Sequence, residues 1–377
     1  MNVRHTLALP SSQHQIDGLQ VVRASAVIVV AWGHAGLPFF TPRTGLLPDL
    51  GIFGVDLFFV LSGFILSLGI LRSKRSPGMD AAQHFFLRRL IRIYPIYWIF
   101  AGVGLLIQAH RHAPYFSHFW ASLLLAPFPD YPNLFLVVDF SWTLVFEMFF
   151  YLLLAAIQFL TVRRAVVSSI GILCLLVAVG EALPTICKPF AVVVFNPILL
   201  EFVLGMLIAV SYKALGAQKM AGRILFCLGV ALAIFLRIKL FVTPSMQAIL
   251  LDKGVFTQVA TWGIAAMLVV GGVVFWSPRC DGRVARIAVI LGNASYSAYL
   301  ASGVVILYST MMLKKVFGAS RFDALAPRFP AQVGIVLAIL CVGWLCYQFV
   351  EWPLLHRMQR WLKRERSASF TEVAECS

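Results

Sequence analysis

The apolar residues of this chain are divided into about ten separate stretches, each long enough to cross a lipid bilayer as a helix. Hydrophobic residues make up 60% of the chain and charged residues only 12%, whereas a soluble domain carries about 25% charged residues. We therefore predict an all-α integral membrane protein, a bundle of about ten transmembrane helices. The predicted spans are residues 19–38, 52–71, 90–108, 142–161, 165–183, 194–211, 222–242, 256–276, 288–312 and 331–351. A further apolar stretch, 117–127, is too short to span and predicts a re-entrant or interfacial piece.

The formal net charge of +15 is distributed along the chain as a membrane topology requires. With the N-terminus inside, 20 of the 31 lysines and arginines fall in cytoplasmic segments, ten fall outside, and Arg23 lies within a helix. This bias follows the positive-inside rule and predicts that both termini are cytoplasmic. The charge is thus explained by topology and anionic lipid head groups, without nucleic acid as a partner. We predict a transmembrane domain at 1–356 and a basic cytoplasmic tail at 357–377.

Charged and titratable residues inside these spans are expensive to place in lipid, so each is a functional-site hypothesis. Arg23 and His34 lie eleven residues apart on the first span, which is about three turns and roughly 16 Å, so both point to one side. By depth, an outer layer holds an imidazole and three carboxylates, His34, Asp56, Glu147 and Glu201. A cytoplasmic layer holds Arg23, Arg89, Arg92 and Glu351. This arrangement predicts a cavity that joins an acidic and imidazole cluster outside to an arginine cluster inside.

Each of these residues also has a structural interpretation. A membrane histidine such as His34 can simply form a hydrogen bond to a neighbouring helix. Asp56 and Glu147 lie near predicted helix starts, where carboxylates cap a helix or interact with its dipole. Glu201 follows Asn196-Pro197 and is open to the same interpretation. Glu351 precedes Trp352-Pro353, where a helix must end or kink, and a salt bridge to an arginine is the expected role there.

The cytoplasmic arginines can be juxtamembrane charges or ligands for an anion. Arg89 and Arg92 are three residues apart on one helix face and could form a fork for phosphate groups. Of Arg88, Arg89 and Arg92, Arg88 is the one that a juxtamembrane charge explains best. Three histidines on the loop 109–141 lack nearby carboxylates at metal-ligand spacing, so we expect no metal site there. They are His110, His112 and His118.

Seven short motifs give the chain a resemblance to a known family. They occur in the family's order and together cover roughly residues 15–357. The chain resembles the membrane-bound acyltransferase-3 family, and within it the exopolysaccharide O-acetyltransferases of the succinoglycan type. The motifs are Leu19-Gln20-x-x-Arg23 with His34; Gly54-Val55-Asp56-Leu57-Phe58-Phe59-Val60-Leu61-Ser62-Gly63-Phe64; Arg89-x-x-Arg92-Ile93-Tyr94-Pro95-x-Tyr97-Trp98; Trp142-Thr143-Leu144-x-x-Glu147-Met148-Phe149-Phe150-Tyr151; Glu201-Phe202-x-x-Gly205; Leu291-Gly292-x-x-Ser295-Tyr296-Ser297-x-Tyr299-Leu300; and Glu351-x-Pro353.

The resemblance implies transfer of an acyl group, usually acetyl, from cytoplasmic acyl-CoA to a sugar hydroxyl. Acetyl-CoA would be the acyl donor and co-substrate, and its phosphates would be held by Arg23, Arg89 and Arg92. His34 would act as general base or transient acyl carrier, with Glu147 or Asp56 orienting or stabilising its imidazole. The expected substrate-binding residues are Glu201, Trp142 and Tyr151.

The expected acceptor is a lipid-linked oligosaccharide or a nascent polysaccharide at the outer face of a bacterial inner membrane. Aromatic residues of the loop 109–141 could stack on its sugar rings, or could form an interfacial aromatic belt. These residues are Tyr115, Phe116, Trp120 and Tyr131.

The chain departs from the family pattern at one position. Family members often carry a histidine two residues after the Tyr-Leu pair, and here Tyr299-Leu300 is followed by Ala301 and Ser302. Two rival functions stay open beside acyl transfer. One is a multi-span transporter or flippase, because ten spans with buried charges also suit a solute carrier, although no inverted repeat is apparent. The other is a non-catalytic scaffold in polysaccharide export, which only the missing histidine favours.

Overall fold

The structure is a computed structural model. It describes residues 13–36, 50–73, 78–110, 119–126, 138, 140–160, 164–182, 189–239, 254–318 and 328–362. Within these ranges every regular element is a helix and none is a strand, which confirms the predicted all-α class. The loop residues Tyr115, Phe116 and Tyr131, and most of the basic tail, lie outside the described residues.

Thirteen helices follow one another through these ranges, some of them short. Two contain π-helical turns, Val259–Gly263 and Tyr347–Glu351. The helices are α1 Gln13–Gly36, α2 Leu50–Leu71, α3 Met79–His110, α4 Phe119–Leu123, α5 Trp142–Leu160, α6 Ala165–Ala182, α7 Pro189–Phe195, α8 Leu199–Leu215, α9 Lys219–Lys239, α10 Val255–Trp276, α11 Arg283–Asn293, α12 Ser295–Phe317, and α13, which runs from Arg328 through Cys346 and the second π-helical turn to Leu362.

Nine helices of the described chain are long and apolar enough to cross a membrane, one fewer than the ten predicted spans. The difference is the sixth span, predicted at 194–211. The backbone turns at Asn196 and Pro197, where the Ile198 N–H donates to Asn196 Oδ1 at 3.0 Å, so the apolar run is divided between α7 and α8. With 17 residues, α8 is roughly 25 Å long, at the lower limit for a transmembrane helix.

The ninth predicted span, 288–312, also has different bounds. Residues up to Asn293 belong to α11, and a turn at Ala294 separates α11 from α12, which continues to Phe317. The segment 288–293 is therefore the end of a short amphipathic helix, because its apolar residues share a face with those before it rather than with α12.

The short stretch predicted as interfacial is the five-residue helix α4, and α3 holds it by side-chain hydrogen bonds. Tyr97 donates to the Ser122 carbonyl at 2.7 Å, Tyr94 to Leu124 at 2.8 Å, and Trp98 Nε1 to Leu123 at 2.9 Å. These bonds satisfy carbonyls at the C-terminal end of a helix that lacks further turns to accept them. Trp120, which belongs to the loop aromatic residues named above, is 73% exposed.

The bundle is built around α2, which contacts α1 on one side and α8 on the other. Glycines allow the second contact. A Cβ atom on Gly63 would lie 2.2 Å from the Phe202 carbonyl oxygen, and one on Gly205 would lie 2.1 Å from that of Val60. The backbones of α2 and α8 thus touch directly, which is how small residues bring membrane helices together.

We expect Gly63→Ala and Gly205→Ala each to destabilise the protein by about 1–3 kcal/mol, because the added methyl groups must push α2 and α8 apart. Gly69→Ala is the matched control, since a Cβ at that α2 position meets nothing within 4 Å. Thermal unfolding of the purified protein in detergent measures the effect. Equal melting temperatures for all three variants would contradict the close helix contact.

Candidate active site

A cavity of about 160 Å³ lies between α1, α2, α3, α5 and α12. It brings together five of the nine residues predicted for the site, which come from three different helices. These five are Arg23, Arg89, Arg92, Glu147 and Tyr151. Other polar side chains on its wall were not predicted as site residues, namely Ser62, Thr143, Ser295, Tyr296 and Tyr299.

Glu147 is the carboxylate of this cavity. Its Oε1 accepts a hydrogen bond from Ser62 at 2.8 Å, and its Oε2 accepts one from Tyr151 at 3.1 Å. Tyr151 lies one helical turn beyond Glu147 on α5, whereas Ser62 reaches it from α2. The guanidinium groups of Arg23 and Arg89 are near enough to interact electrostatically with it. The carboxylate is thereby fixed in place on one wall of the cavity.

Arg92 has a carboxylate of its own. It forms a salt bridge with Glu351, which is fully buried and also accepts a hydrogen bond from Ser297 at 2.5 Å. The Arg92 guanidinium lies 5.7 Å from the centre of the Tyr296 ring. The salt bridge predicted for Glu351 at the end of its span is therefore confirmed.

Arg23 and Arg89 are less completely paired. Arg23 Nη1 has a long 3.4 Å contact with Gln20 Oε1. Arg89 stacks over Phe85 at 5.8 Å, and its buried Nε has no hydrogen-bond partner in the described part of the chain. Three guanidinium groups thus share the cavity region with two carboxylates, Glu147 and Glu351. The site has an excess of positive charge and an unused donor, which suits an anionic ligand.

The prediction of two separate polar layers is wrong for Glu147, which lies among the arginines instead of with the outer carboxylates. The expected contact between His34 and a carboxylate is also not observed. His34 stacks on Phe140 with ring centres 3.7 Å apart, and its buried Nδ1 has no hydrogen-bond partner in the described ranges. The ring centre of Tyr299, which lines the cavity, is 6.4 Å from that of His34.

Tyr299 links His34 to the cavity. Its hydroxyl shares a 2.7 Å hydrogen bond with Thr143 and donates to the Phe140 carbonyl, so it is held beside both the histidine and α5. Thr143, Glu147 and Tyr151 follow one another at four-residue intervals on α5 and so line one face of that helix. The polar wall therefore runs from the arginines to a point next to His34.

Asp56 and Glu201 form a second buried polar group outside this cavity. Their carboxyl groups meet, and Gln258 Nε2 donates to Asp56 Oδ2 at 2.7 Å. Asp56 and Glu201 are both 0% exposed. Asp56 is on the face of α2 that is turned away from Ser62, so neither carboxylate reaches His34 or the cavity wall.

Two further positions singled out in the sequence have buried side chains that pack inside the bundle. Trp142, expected to contact substrate, is 5% exposed and packs edge to face against Phe146. Ser302, which stands where the family often has a histidine, is buried and donates to the Tyr299 carbonyl at 2.6 Å. Neither residue lines the cavity, and Ser302 does not supply a side chain to its chemistry.

The cavity residues that were not predicted could have been recognised from the sequence. Thr143 is placed four residues before Glu147 on the same face, and Ser62 is a polar residue in a strongly apolar span. Tyr296 and Tyr299 belong to a motif already noted. Among the described residues, no group of three or more histidine, cysteine or acidic side chains could hold a metal ion.

Comparisons with known proteins show the family of this chain. A family model described as an acyltransferase domain, that of the acyltransferase-3 family, matches residues 16–348. The chain belongs to the acyltransferase-3 family. No solved structure matches this acyltransferase.

Two bacterial proteins are similar to the acyltransferase over most of its length. The exopolysaccharide production protein ExoZ of Rhizobium meliloti (strain 1021) is 30% identical over 327 residues, which cover 84% of this chain and 93% of that protein. The acyltransferase MdmB of Streptomyces mycarofaciens is 28% identical over 364 residues, which cover 89% of this chain and 90% of that protein.

We expect Arg92→Ala to lower stability by about 3–5 kcal/mol, because it leaves Glu351 buried without a cation. The double variant Arg92→Ala/Glu351→Gln removes that uncompensated charge and should recover part of the loss. Thermal unfolding and membrane yield of the two variants provide the measurement. A double variant no more stable than Arg92→Ala would show that the uncompensated charge of Glu351 is not the cause of the loss.

Proposed function

We propose that this membrane acyltransferase moves an acetyl group from cytoplasmic acetyl-CoA to a hydroxyl of a cell-surface or exopolysaccharide sugar. One observation carries the proposal. The cavity has an excess of guanidinium groups on part of its wall, and His34 lies beside Tyr299 on another part of that wall. The similarity to a protein named for exopolysaccharide production supports the sugar acceptor. Because the family is one of acyltransferases, a transporter or scaffold role has less support.

The arginines suit the phosphates of CoA. Arg89 has an unused buried donor, Arg23 has one long contact, and both lie next to Glu147. A guanidinium can donate two parallel hydrogen bonds to a phosphate group. The cavity of about 160 Å³ is smaller than the roughly 300–1,000 Å³ of ordinary ligand pockets. It therefore suits the slender thioester arm and the phosphate groups next to it, with the adenosine outside its mouth.

His34 is the proposed general base. A sugar hydroxyl is a weak nucleophile at neutral pH, so a base must take its proton as the oxygen attacks the thioester carbonyl. The carbon–oxygen bond forms, the carbon–sulfur bond then breaks, and the imidazolium returns the proton to the departing thiolate. The face of Phe140, 3.7 Å from the imidazole centre, stabilises the imidazolium by a cation–π interaction. This contact replaces the carboxylate expected from the sequence.

Glu147, Tyr151 and Ser62 have a positioning role in this scheme. The two hydroxyl donors fix the Glu147 carboxylate, and the carboxylate keeps Arg23 and Arg89 at the cavity. For Asp56, Glu201 and Trp142 we propose an indirect role only: they hold together the helices that form the site. The orientation with both termini in the cytoplasm, the lipid-linked acceptor and the bacterial inner membrane also remain proposals.

Arg89→Ala should weaken acetyl-CoA binding by about 1.5–3 kcal/mol, as expected for loss of a hydrogen bond to a charged group. Arg89→Lys should rescue binding incompletely, because lysine lacks the planar fork. Arg88→Ala is the control, since Arg88 is the exposed neighbour on the same helix. Equilibrium binding of labelled acetyl-CoA to protein in nanodiscs measures the change, and unchanged affinity in Arg89→Ala would refute the phosphate role.

His34→Gln should insert normally and bind acetyl-CoA with near-normal affinity, yet lose transfer by at least about a hundredfold, as for a general base. The assay follows label from acetyl-CoA onto a lipid-linked glycan in nanodiscs. Label on the sugar with the unmodified protein identifies the enzyme, whereas movement of unlabelled glycan alone would favour a transporter. Transfer within a few-fold of normal in His34→Gln would exclude His34 and make Glu147 the next candidate base.

A further inference from the structure

A second cavity, the α9 groove, lies between α1, α2, α9, α10 and α11 and is separate from the candidate active site. It encloses about 880 Å³ and is lined almost entirely by apolar side chains. Its length on α1 runs from Gly18 to Val29, which is roughly 16 Å, and on α9 from Phe226 to Ile238, roughly 18 Å. Half of a hydrocarbon core about 30 Å thick is about 15 Å. The groove is thus about one leaflet long.

At one end of the groove, arginines adjoin the lining residues in the chain or stack on one of them. Arg279 lies in the connection between α10 and α11, and Arg283 is the first residue of α11; both are exposed. Arg286 is exposed one turn later, and Arg223 stacks over Trp276, which lines the groove. We call these four residues, Arg223, Arg279, Arg283 and Arg286, the basic rim.

The basic rim is positive even when nearby acids are counted. The carboxylates of Asp17 and Asp281 lie near Cys280, whose pKa is raised by burial and by these two charges. Four arginines therefore face two aspartates at this end. The opposite end carries Arg237, which is fifteen residues further along α9 than Gly222, the residue that packs on Trp276. That separation is roughly 22 Å, so Arg237 is not part of the rim.

α11 has the form of a helix that lies in a membrane interface. Gly292 packs so closely on α1 that a Cβ there would lie 2.0 Å from the Gln20 carbonyl oxygen, which fixes one face to the bundle. Val284 and Ile287 are 81% and 58% exposed, and Arg283 and Arg286 are exposed on the same helix. Exposed apolar and basic side chains together on one short helix suit the boundary between acyl chains and head groups.

We propose that the α9 groove holds an acyl chain of an anionic phospholipid whose phosphate lies against the basic rim. The length of the groove matches a chain from a single leaflet, and the positive charge at one end selects an anionic head group over a zwitterionic one. Arg279 and Arg283 are the residues best placed to contact the phosphate, because each stands between two lining residues. Arg279 follows Pro278 and precedes Cys280, and Arg283 follows Gly282 and precedes Val284. This site is independent of acyl transfer.

The test is native mass spectrometry of the full chain in detergent, titrated with phosphatidylglycerol or with phosphatidylcholine of the same acyl chains. We expect one phosphatidylglycerol to be retained at least about fivefold more tightly than phosphatidylcholine. Arg279→Gln and Arg283→Gln should each reduce phosphatidylglycerol affinity about fivefold and leave phosphatidylcholine unchanged. Ser25→Trp, which fills the groove, should weaken retention of both lipids.

Arg360→Gln is the matched control, because Arg360 is an exposed arginine of α13, a helix that contributes no residue to the groove. It should retain phosphatidylglycerol as the unmodified protein does. Equal retention of the two lipids, or the same loss in Arg360→Gln as in Arg283→Gln, would overturn the proposal and leave only general attraction between basic protein and anionic lipid. All the arginines changed are exposed, so folding is retained, and a normal elution profile checks it.

Discussion

A guanidinium group in the membrane-spanning part of a bundle needs an acceptor, and the centre of this protein is arranged around that need. Arg92 on α3 forms a salt bridge with Glu351 on α13. Arg23 on α1 and Arg89 on α3 interact electrostatically with Glu147 on α5. Four helices that are distant in sequence are thereby joined by charge. The same arrangement leaves one positive charge in excess, so the interaction that holds the bundle together also makes the cavity receptive to an anion.

Much of the architecture could be predicted because membrane helices are determined by length and hydropathy, both of which are one-dimensional properties. The all-α bundle and most of its spans follow from them. The grouping of Arg23, Arg89 and Arg92 was also predicted, since each is a charge at the cytoplasmic end of an apolar run, whereas Glu147 was assigned to the outer layer. The two spans with wrong bounds, at Asn196-Pro197 and Ala294, fail where a local turn interrupts an apolar run without a large change in hydropathy.

The details of the site could not be predicted, because depth along a helix does not say which way a side chain faces. Asp56 and Ser62 lie six residues apart on α2, a rotation of about 240°. Ser62 therefore reaches Glu147 across the cavity, whereas Asp56 meets Glu201 and Gln258 behind the helix. Similarly, His34 was expected beside a carboxylate at its own depth, but Phe140, from a connection rather than a span, occupies that side of the ring.

Glu351 is the last residue of the π-helical turn Tyr347–Glu351. Such a turn accommodates one residue more than an α-helix does, and it is often found at functional positions. Deleting any one residue from it would restore a regular helix and rotate the following part by about 100° relative to the preceding part. Glu351 would then lose its alignment with Arg92, although hydropathy and length would hardly change. In an alignment of relatives, a single gap at this place would therefore mark a protein whose central charges are arranged differently, and it should not be treated as neutral length variation.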